Sequence, residues 1–139
     1  MSGRVAGRRR MRRRGPPGDL GTGALVRRTA SPACVIDRFG RIVAANHSLE
    51  ALLGTGVAGG LEGRTLISLT YPPDADRSRE ALESVFGEGL DRHQVDNRCV
   101  RVHTRELVWG TWDLSLVRDG RGRPGLAIAM VRDLTQMKR

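Results

Sequence analysis

The sequence is poor in several residue types on which specialised chemistry depends. Its 139 residues include two cysteines, three histidines and one lysine, Lys138, and aromatic residues make up 4%. Cys34 and Cys99 are far apart in the sequence and fit no metal-ligand spacing, so we expect two buried thiols rather than a single disulfide. No histidine lies four residues from another histidine or a glutamate on a helix face, as a metalloprotease motif requires. The sequence therefore predicts no metal site.

Long apolar runs and catalytic constellations are also missing. No apolar stretch approaches the roughly 18–20 residues that a membrane-spanning helix needs. The basic residues at the start are followed by residues 15–19, Gly-Pro-Pro-Gly-Asp, instead of the apolar segment of a signal peptide. We find no nucleophile with its base and no pair of carboxylates placed for acid–base chemistry. These absences predict a non-enzymatic, cytoplasmic protein with no membrane span.

Positive charge is concentrated at the N-terminus. The net charge is +9 at pH 7, yet residues 1–28 hold nine arginines against one acid, Asp19. Because a segment of Arg, Gly and Pro has little to bury, we predict a disordered basic tail over residues 1–27 and one domain over residues 28–139. The composition of residues 16–28 also argues against a helix there. Three interpretations of the tail stay open: a solvated segment without a role, a misassigned start, or a contact with nucleic acid or acidic lipid.

The first half of the domain begins with a predicted β-hairpin. Residues 33–36 and 41–45 are short apolar runs, and residues 37–40 between them are typical of a tight turn. Asn46 follows the second run and is predicted to cap a helix whose apolar face is formed by leucines. A glycine-rich connection over residues 54–63 comes next, and it lacks the Gly-Lys-Ser/Thr of a phosphate-binding loop.

A second helix is predicted at about residues 77–87. Asp74 or Asp76 is placed to cap its first turn, and the other acidic residues of this helix are expected on a solvated face. The last third is β-structure, with strands predicted at residues 94–103, 107–117 and 126–131. An Asp-Gly turn signal joins the last two strands.

Alternation along the last two strands separates two faces of the sheet. In the middle strand, Val108, Gly110, Trp112, Leu114 and Leu116 share one face, and Trp109 lies on the other. In the final strand both faces are apolar, with small residues on one (Ala127, Ala129, Val131) and large ones on the other (Leu126, Ile128, Met130). A strand of this kind needs cover on both sides. We therefore expect helices on one face, and a flanking segment or a second chain on the other.

The order and spacing of these segments resembles the PAS domain family, which comprises sensory modules of histidine kinases, cyclic-dinucleotide enzymes and transcription regulators. The resemblance covers about residues 30–139. It rests on these residues: Val35-Ile36-Asp37, Gly40-Arg41-Ile42, Asn46, Leu61-Glu62-Gly63-Arg64, Pro73-Asp74-Ala75-Asp76, Trp109, Arg118-Asp119-Gly120 and Asp133-Leu134-Thr135. One departure is Thr104-Arg105-Glu106, where the family usually has Asp-Gly. The resemblance implies an α+β fold, a five-stranded antiparallel sheet with short helices on one face, and a role in bacterial signal transduction.

The resemblance also implies where a ligand would bind, between the helices and the inner face of the sheet. Trp112 either stacks on such a ligand or fills its space, and we favour the second. Asn97 or His103 is expected to supply a polar group. Haem is disfavoured because residues 77–87 contain no histidine, and light-sensing flavin is disfavoured because residues 54–63 contain no cysteine. No cofactor is predicted, and an uncoloured small ligand remains open. The pocket candidates are Asn97, Gly110, Trp112, Leu114, Ala127 and Ala129.

The outer face is the predicted interaction surface. It would be covered by a second copy of the chain or by another PAS protein, and its candidates are Trp109, Leu126, Ile128 and Met130. Asp133 and Thr135 form the predicted signal junction, where Thr135 could cap a following helix. Only four residues follow Thr135, too few for a stable helix. We therefore expect the module to act in trans, or the chain to be a fragment of a longer sensor.

Overall fold

The computed structural model describes residues 17–54 and 60–135, with side chains from residue 21 onward. Within these ranges no helix has both the length and the apolar character to cross a membrane. Two of the helices continue as π-helical turns, and a 3₁₀ turn precedes the last helix. The elements are α1 (Pro17–Arg28), β1 (Ala33–Asp37), β2 (Ile42–Ala45), α2 (His47–Leu49) with its π turn (Glu50–Gly54), α3 (Leu66–Leu69), the 3₁₀ turn (Pro72–Asp74), α4 (Ala75–Leu82) with its π turn (Glu83–Gly87), β3 (Arg92–Val100), β4 (Leu107–Arg118) and β5 (Pro124–Asp133).

The five strands form one antiparallel sheet in the order β2-β1-β5-β4-β3. The predicted α+β fold is therefore confirmed. The inner face packs against α2, α3 and α4 in a single apolar core, whose largest fully buried side chain is Trp112. β4 buries alternate residues from Val108 to Leu114 against this core, as its alternation predicts.

The N-terminal helix is a correction to the sequence analysis. Residues 17–28 form α1, although their glycines and prolines argued against a helix and residues 1–27 were expected to be a disordered tail. Tertiary packing accounts for the difference, because Thr22 (7% exposed) and Val26 (1% exposed) lie one turn apart and are buried on the outer face of the sheet. Pro17 is also tolerated at the first helical position, where its missing N–H has no intrahelical partner. Residues 1–16 lie outside the described part of the chain.

The β1–β2 hairpin turns where the sequence predicted. The carboxylate Oδ1 of Asp37 accepts hydrogen bonds from the backbone N–H groups of Phe39 and Arg41, both at 2.9 Å. Gly40 has φ = +79°, in the left-handed region where glycine is favoured. A Cβ atom at this position would lie 2.8 Å from Leu82 Cδ1, so any larger residue here would have to displace the Leu82 side chain.

Asn46 caps α2 as predicted, and it does more than cap. Its Oδ1 accepts hydrogen bonds from Leu49 N (3.0 Å) and from Ala33 N (3.1 Å). Its Nδ2 donates to Thr29 O (2.8 Å) and to Ser31 O (2.6 Å). The Asn46 side chain is 2% exposed; its bonds to Leu49 N and Ala33 N are buried, and those to Thr29 O and Ser31 O are partly buried. Asn46 therefore fixes the end of α1 and the start of β1 to the start of α2.

Candidate functional site

The inner face of the sheet carries all six pocket candidates, and every one of them is buried. Trp112 is 1% exposed, and its β-sheet partners are Val95 on β3 and Val131 on β5. Ala127 and Ala129 leave space above β5, and Trp112 belongs to the same apolar cluster as both. This packing favours Trp112 as a core side chain over Trp112 as the wall of an occupied pocket.

A chain of buried polar groups runs beside Trp112. Thr70 Oγ1 and Ser78 Oγ are 2.9 Å apart, and Asn97 Nδ2 donates to Ser78 Oγ at 2.9 Å. The thiol of Cys99 donates to Asn97 Oδ1 at 3.5 Å. These side chains hydrogen-bond to one another, which compensates their burial. His103 lies exposed in the β3–β4 turn, so of the two polar residues proposed for the pocket only Asn97 faces the inner side.

Both cysteines are free and buried, as predicted. Burial, together with a smaller effect of the nearby Cys99, raises the pKa of the Cys34 thiol to about 12. Burial likewise raises the pKa of Cys99 to about 12, against a lowering effect from a hydrogen bond with Trp112. Thiols held in the protonated form are poor nucleophiles and poor metal ligands. In the part of the chain that the structure describes, no three His, Cys, Asp or Glu side chains are grouped for a metal ion.

The outer face is partly covered by α1. Val26 packs with Ala33, Val35 and Ala44 in a second apolar cluster. The outer side chains of β5, which are three of the predicted interface residues, pack against this cluster but stay only half-buried: Leu126, Ile128 and Met130. Leu25, the neighbour of Val26 on α1, is 58% exposed. Cover by a flanking segment, one of the two expected solutions, is therefore present but incomplete.

The outer face of β3 and β4 is polar and paired within itself. Arg92 forms a two-pronged ion pair with Asp113, and Gln94 also donates to that carboxylate at 3.3 Å. Thr111 Oγ1 donates to Asp96 Oδ1 at 2.8 Å. Apart from Leu107 and Trp109 at the start of β4, the large apolar side chains of the outer face lie near β5 and α1.

Asp74 is the second correction. Asp74 or Asp76 was predicted to cap α4; Asp74 occupies the cap position, but its side chain makes no capping bond. Asp74 is 4% exposed, and its carboxylate accepts three hydrogen bonds from Arg98: from the backbone N (2.8 Å), Nε (2.9 Å) and Nη2 (2.8 Å). These bonds hold the pKa of Asp74 below its ordinary value, chiefly through the side-chain bond from Arg98. Asp76 remains exposed and pairs with Arg79 at 2.7 Å.

Arg98 is a residue whose role the sequence analysis missed. Its guanidinium carbon lies 4.8 Å from the centre of the Tyr71 ring and 4.9 Å from the centre of the Trp109 ring, within cation–π range of both. Trp109 and Arg98 are direct partners in the β3–β4 ladder. An arginine followed at a distance by tryptophan gives no local pattern, so only the strand register could have revealed the pair. Trp109, one of the four interface candidates, is half-buried like the other three, and its ring is stacked on Arg98.

The C-terminal junction is attached to the same tryptophan. Leu134 N donates to Trp109 O at 2.8 Å, and Trp109 N donates to Thr135 Oγ1 at 3.1 Å. Thr135 N donates to Asp133 Oδ1 at 2.9 Å. The Thr135 hydroxyl thus holds the junction to β4, and the helix it was expected to cap lies outside the described residues.

Comparison with known proteins agrees with this architecture. Residues 26–139 match the family described as the PAS fold. The probable diguanylate cyclase DgcE of Escherichia coli (strain K12) is 28% identical over 79 residues, which are 57% of this chain and 7% of that protein. The chain therefore spans a small part of the curated relative that it matches.

Solved structures show the same fold. The PAS domain of a protein from Colwellia psychrerythraea matches with a TM-score of 0.69 at 16% identity, over 84% of this chain and 97% of that one. An RNA-binding light-oxygen-voltage receptor matches with a TM-score of 0.69 at 26% identity, over 88% of this chain and 34% of that one. The N-terminal domain of a diguanylate cyclase with PAS/PAC sensor from Marinobacter aquaeolei has a TM-score of 0.66 at 19% identity, over 78% and 99% of the two chains. The chain belongs to the PAS fold family and is a sensory domain of signal transduction.

Proposed function

We propose that this PAS domain acts in the cytoplasm as a non-catalytic interaction module, which homodimerises through its outer face and signals to a partner protein through the Asp133–Thr135 junction. The observation that carries the proposal is the incomplete cover of β5. Leu126, Ile128 and Met130 of β5 stay half-buried. On this face α1 contributes Val26 as its buried apolar side chain.

The physical argument is the free energy of burying that surface. Apolar surface removed from water contributes about 25 cal/mol per Å². We propose that Leu25, which precedes Val26 on α1 and is 58% exposed, belongs to the same interface as the outer face of β5. A second copy that brings its own Leu25 and β5 against this area would bury both at once, as a two-fold interface requires. The polar, self-paired face of β3 and β4 would form its rim.

Cysteine cross-linking tests this interface directly. Because Cys34 and Cys99 are buried, a new surface cysteine can be the one reactive thiol of the folded domain. We expect Leu25→Cys to form an intermolecular disulfide rapidly under mild oxidation. Phe39→Cys is the control matched for exposure, since Phe39 is 72% exposed in the β1–β2 turn and is not among the residues of either apolar cluster. Equal cross-linking of the two variants would refute the interface.

The relatives suggest the kind of output. DgcE and the Marinobacter aquaeolei protein are named as diguanylate cyclases, and the chain covers only a small part of the first. We propose that an enzyme of this kind, or another signalling protein, receives the signal. Pull-down of the purified chain with candidate output domains from the same host, compared with a Thr135→Val variant, tests this step.

A small-molecule receptor is the second candidate. It is favoured by the buried polar chain of Ser78, Asn97 and Cys99 beside Trp112. Native mass spectrometry of protein isolated from its own host would show a bound mass that disappears on denaturation. Repeated spectra of the empty chain would count against this candidate.

Contact with nucleic acid through the arginines of residues 1–14 is the third candidate. Two observations support it: the positive charge of that segment, and the 26% identity to a light-oxygen-voltage receptor described as RNA-binding. Such binding should fall steeply as salt rises and should disappear when residues 1–16 are removed. Binding that survives both changes would have another origin.

A further inference from the structure

We propose that Arg98 mechanically couples the start of α4 to the C-terminal junction, so that displacement of Asp74 weakens the hydrogen bonds that hold Leu134 and Thr135. The inference deepens the proposed function, because it describes how a change in the helical layer would reach the junction. It rests on that function for its use in signalling.

The first link joins the helical layer to β3. Asp74 ends the 3₁₀ turn and immediately precedes α4, so its position follows the start of that helix. Its nearly buried carboxylate has both oxygens engaged by the guanidinium of Arg98. The same turn is attached to β3 through its backbone, because Tyr71 N donates to Arg98 O at 2.7 Å. A two-pronged, charge-assisted pair of this kind fixes both distance and orientation.

The second link crosses from β3 to β4. The Arg98 side chain is 28% exposed and is held between the rings of Tyr71 and Trp109. The free energy of a cation–π interaction is more favourable for a partly desolvated cation than for an exposed one. Without Asp74, the guanidinium would lose its anionic partner. Hydration would then stabilise it more than its contacts with the two rings. The support of the Trp109 ring is therefore conditional on Asp74.

The third link joins β4 to the junction. The backbone N and O of Trp109 are both bonded to the segment after β5, to Thr135 Oγ1 and Leu134 N respectively. A shift of Trp109 thus acts on two hydrogen bonds of the junction together. Arg77, the other charged group acting on Asp74, lies on α4 and donates to Asp96 O at 3.3 Å, without contact to the junction.

The same two strands provide a matched control. Arg92 on β3 and Asp113 on β4 also form a two-pronged ion pair on the outer face, but Arg92 has no aromatic ring over it in the described contacts and does not contact residues 133–135. Loss of this pair removes a comparable ion pair from the same sheet without touching the proposed link.

Amide hydrogen exchange of the full chain, followed by NMR, tests the coupling. We expect Asp74→Asn and Arg98→Gln to accelerate exchange of the Leu134 amide by about tenfold relative to the amides of β1, a factor typical of losing one partly desolvated cation–π contact and its ion pair. Arg92→Gln should leave the Leu134 amide unchanged. Arg98→Lys should resemble Arg98→Gln, because lysine keeps the positive charge but cannot form the two-pronged pair with the carboxylate.

Two results would overturn the proposal. One is a Leu134 amide that exchanges at the wild-type rate in Asp74→Asn and Arg98→Gln. The other is equal acceleration at Leu134 and in β1, which would mean that the substitutions weaken the whole fold without acting on the junction. Neither result depends on dimerisation, so failure of the coupling and failure of the interface are distinguishable.

Discussion

The side-chain amide of Asn46 donates a 2.8 Å hydrogen bond to the carbonyl oxygen of Thr29, 17 residues earlier in the chain. Through this bond the segment that leaves α1 is held at the point where α2 begins. The hydrogen bond from Asn46 to Ser31 O strengthens the attachment. Asn46 thus adds to the packing of Val26 in holding α1 on the outer face, where the proposed interface lies.

Replacement of Asn46 should separate its two roles. Asn46→Ala removes the side-chain partner of the buried Ala33 N–H and the part-buried bonds to Thr29 O and Ser31 O, together with the cap of α2, and we expect the free energy of unfolding to fall by about 2–3 kcal/mol. Asn46→Asp keeps the acceptor for Leu49 but loses both donated bonds, so it should retain the cap and loosen α1. Urea unfolding measures the first effect, and proteolysis within residues 17–31 measures the second. A change below about 0.5 kcal/mol in Asn46→Ala would contradict this role.

Stability should fall at acidic pH. The pKa values of Asp74 and Asp113 are held below their ordinary value of 3.8, chiefly by hydrogen bonds from Arg98 and Arg92 respectively. A carboxylate whose pKa is lower in the folded state stabilises the fold above its unfolded pKa, and this contribution is lost as pH falls through the folded value. Urea unfolding should therefore show stability that decreases below about pH 4. In Asp74→Asn the free energy of unfolding should depend less steeply on pH in this range. An unchanged pH dependence would contradict the role assigned to Asp74.

The two thiols should be unreactive in the folded protein. Because their pKa values are raised to about 12, the protonated form is favoured, and their contribution to stability is complete below the ordinary value of 9.0 and is lost as pH rises above it. Iodoacetamide at about pH 8 should add no mass to the native chain and two adducts in urea. Rapid labelling of either Cys34 or Cys99 in the native state would show that the inner face opens.

Trp112 tests whether the inner face is a core or a pocket. If it fills the core, Trp112→Ala should cost about 3–5 kcal/mol in urea unfolding and Trp112→Phe clearly less. If it lines an occupied pocket, Trp112→Phe should keep stability and lose any bound mass seen by native mass spectrometry. A stable Trp112→Ala variant would contradict the core interpretation.

Sequence patterns predicted those parts of the fold whose signals are local. β4 alternates over 12 residues, so its two faces could be assigned before the register was known. The turn after Asp37 and the cap at Asn46 also depend on residues close in sequence. α1 was missed because its composition is unfavourable for an isolated helix, and the burial of Val26 against distant strands outweighs that preference.

The site was harder to predict than the fold. An aspartate before a helix is typical of a cap, yet Asp74 binds Arg98, which lies 24 residues further along the chain. The choice between the two partners depends on where segment 70–74 meets the edge of β3, which no local pattern reveals. Trp109 could be placed on the outer face by alternation, but its stacking on Arg98 depends on the pairing of β3 with β4.

The most direct test of the proposed function is the mass of the full chain in solution by size-exclusion chromatography with light scattering. At tens of micromolar we expect twice the monomer mass of 15.2 kDa, with Leu25→Glu and Ile128→Glu shifting the mass to that of the monomer. Phe39→Glu should remain a dimer. Leu25→Glu replaces a side chain that is already 58% exposed, so it should not unfold the domain. A wild-type chain that is monomeric at this concentration, or a dimer that both outer-face substitutions leave intact, would contradict the account.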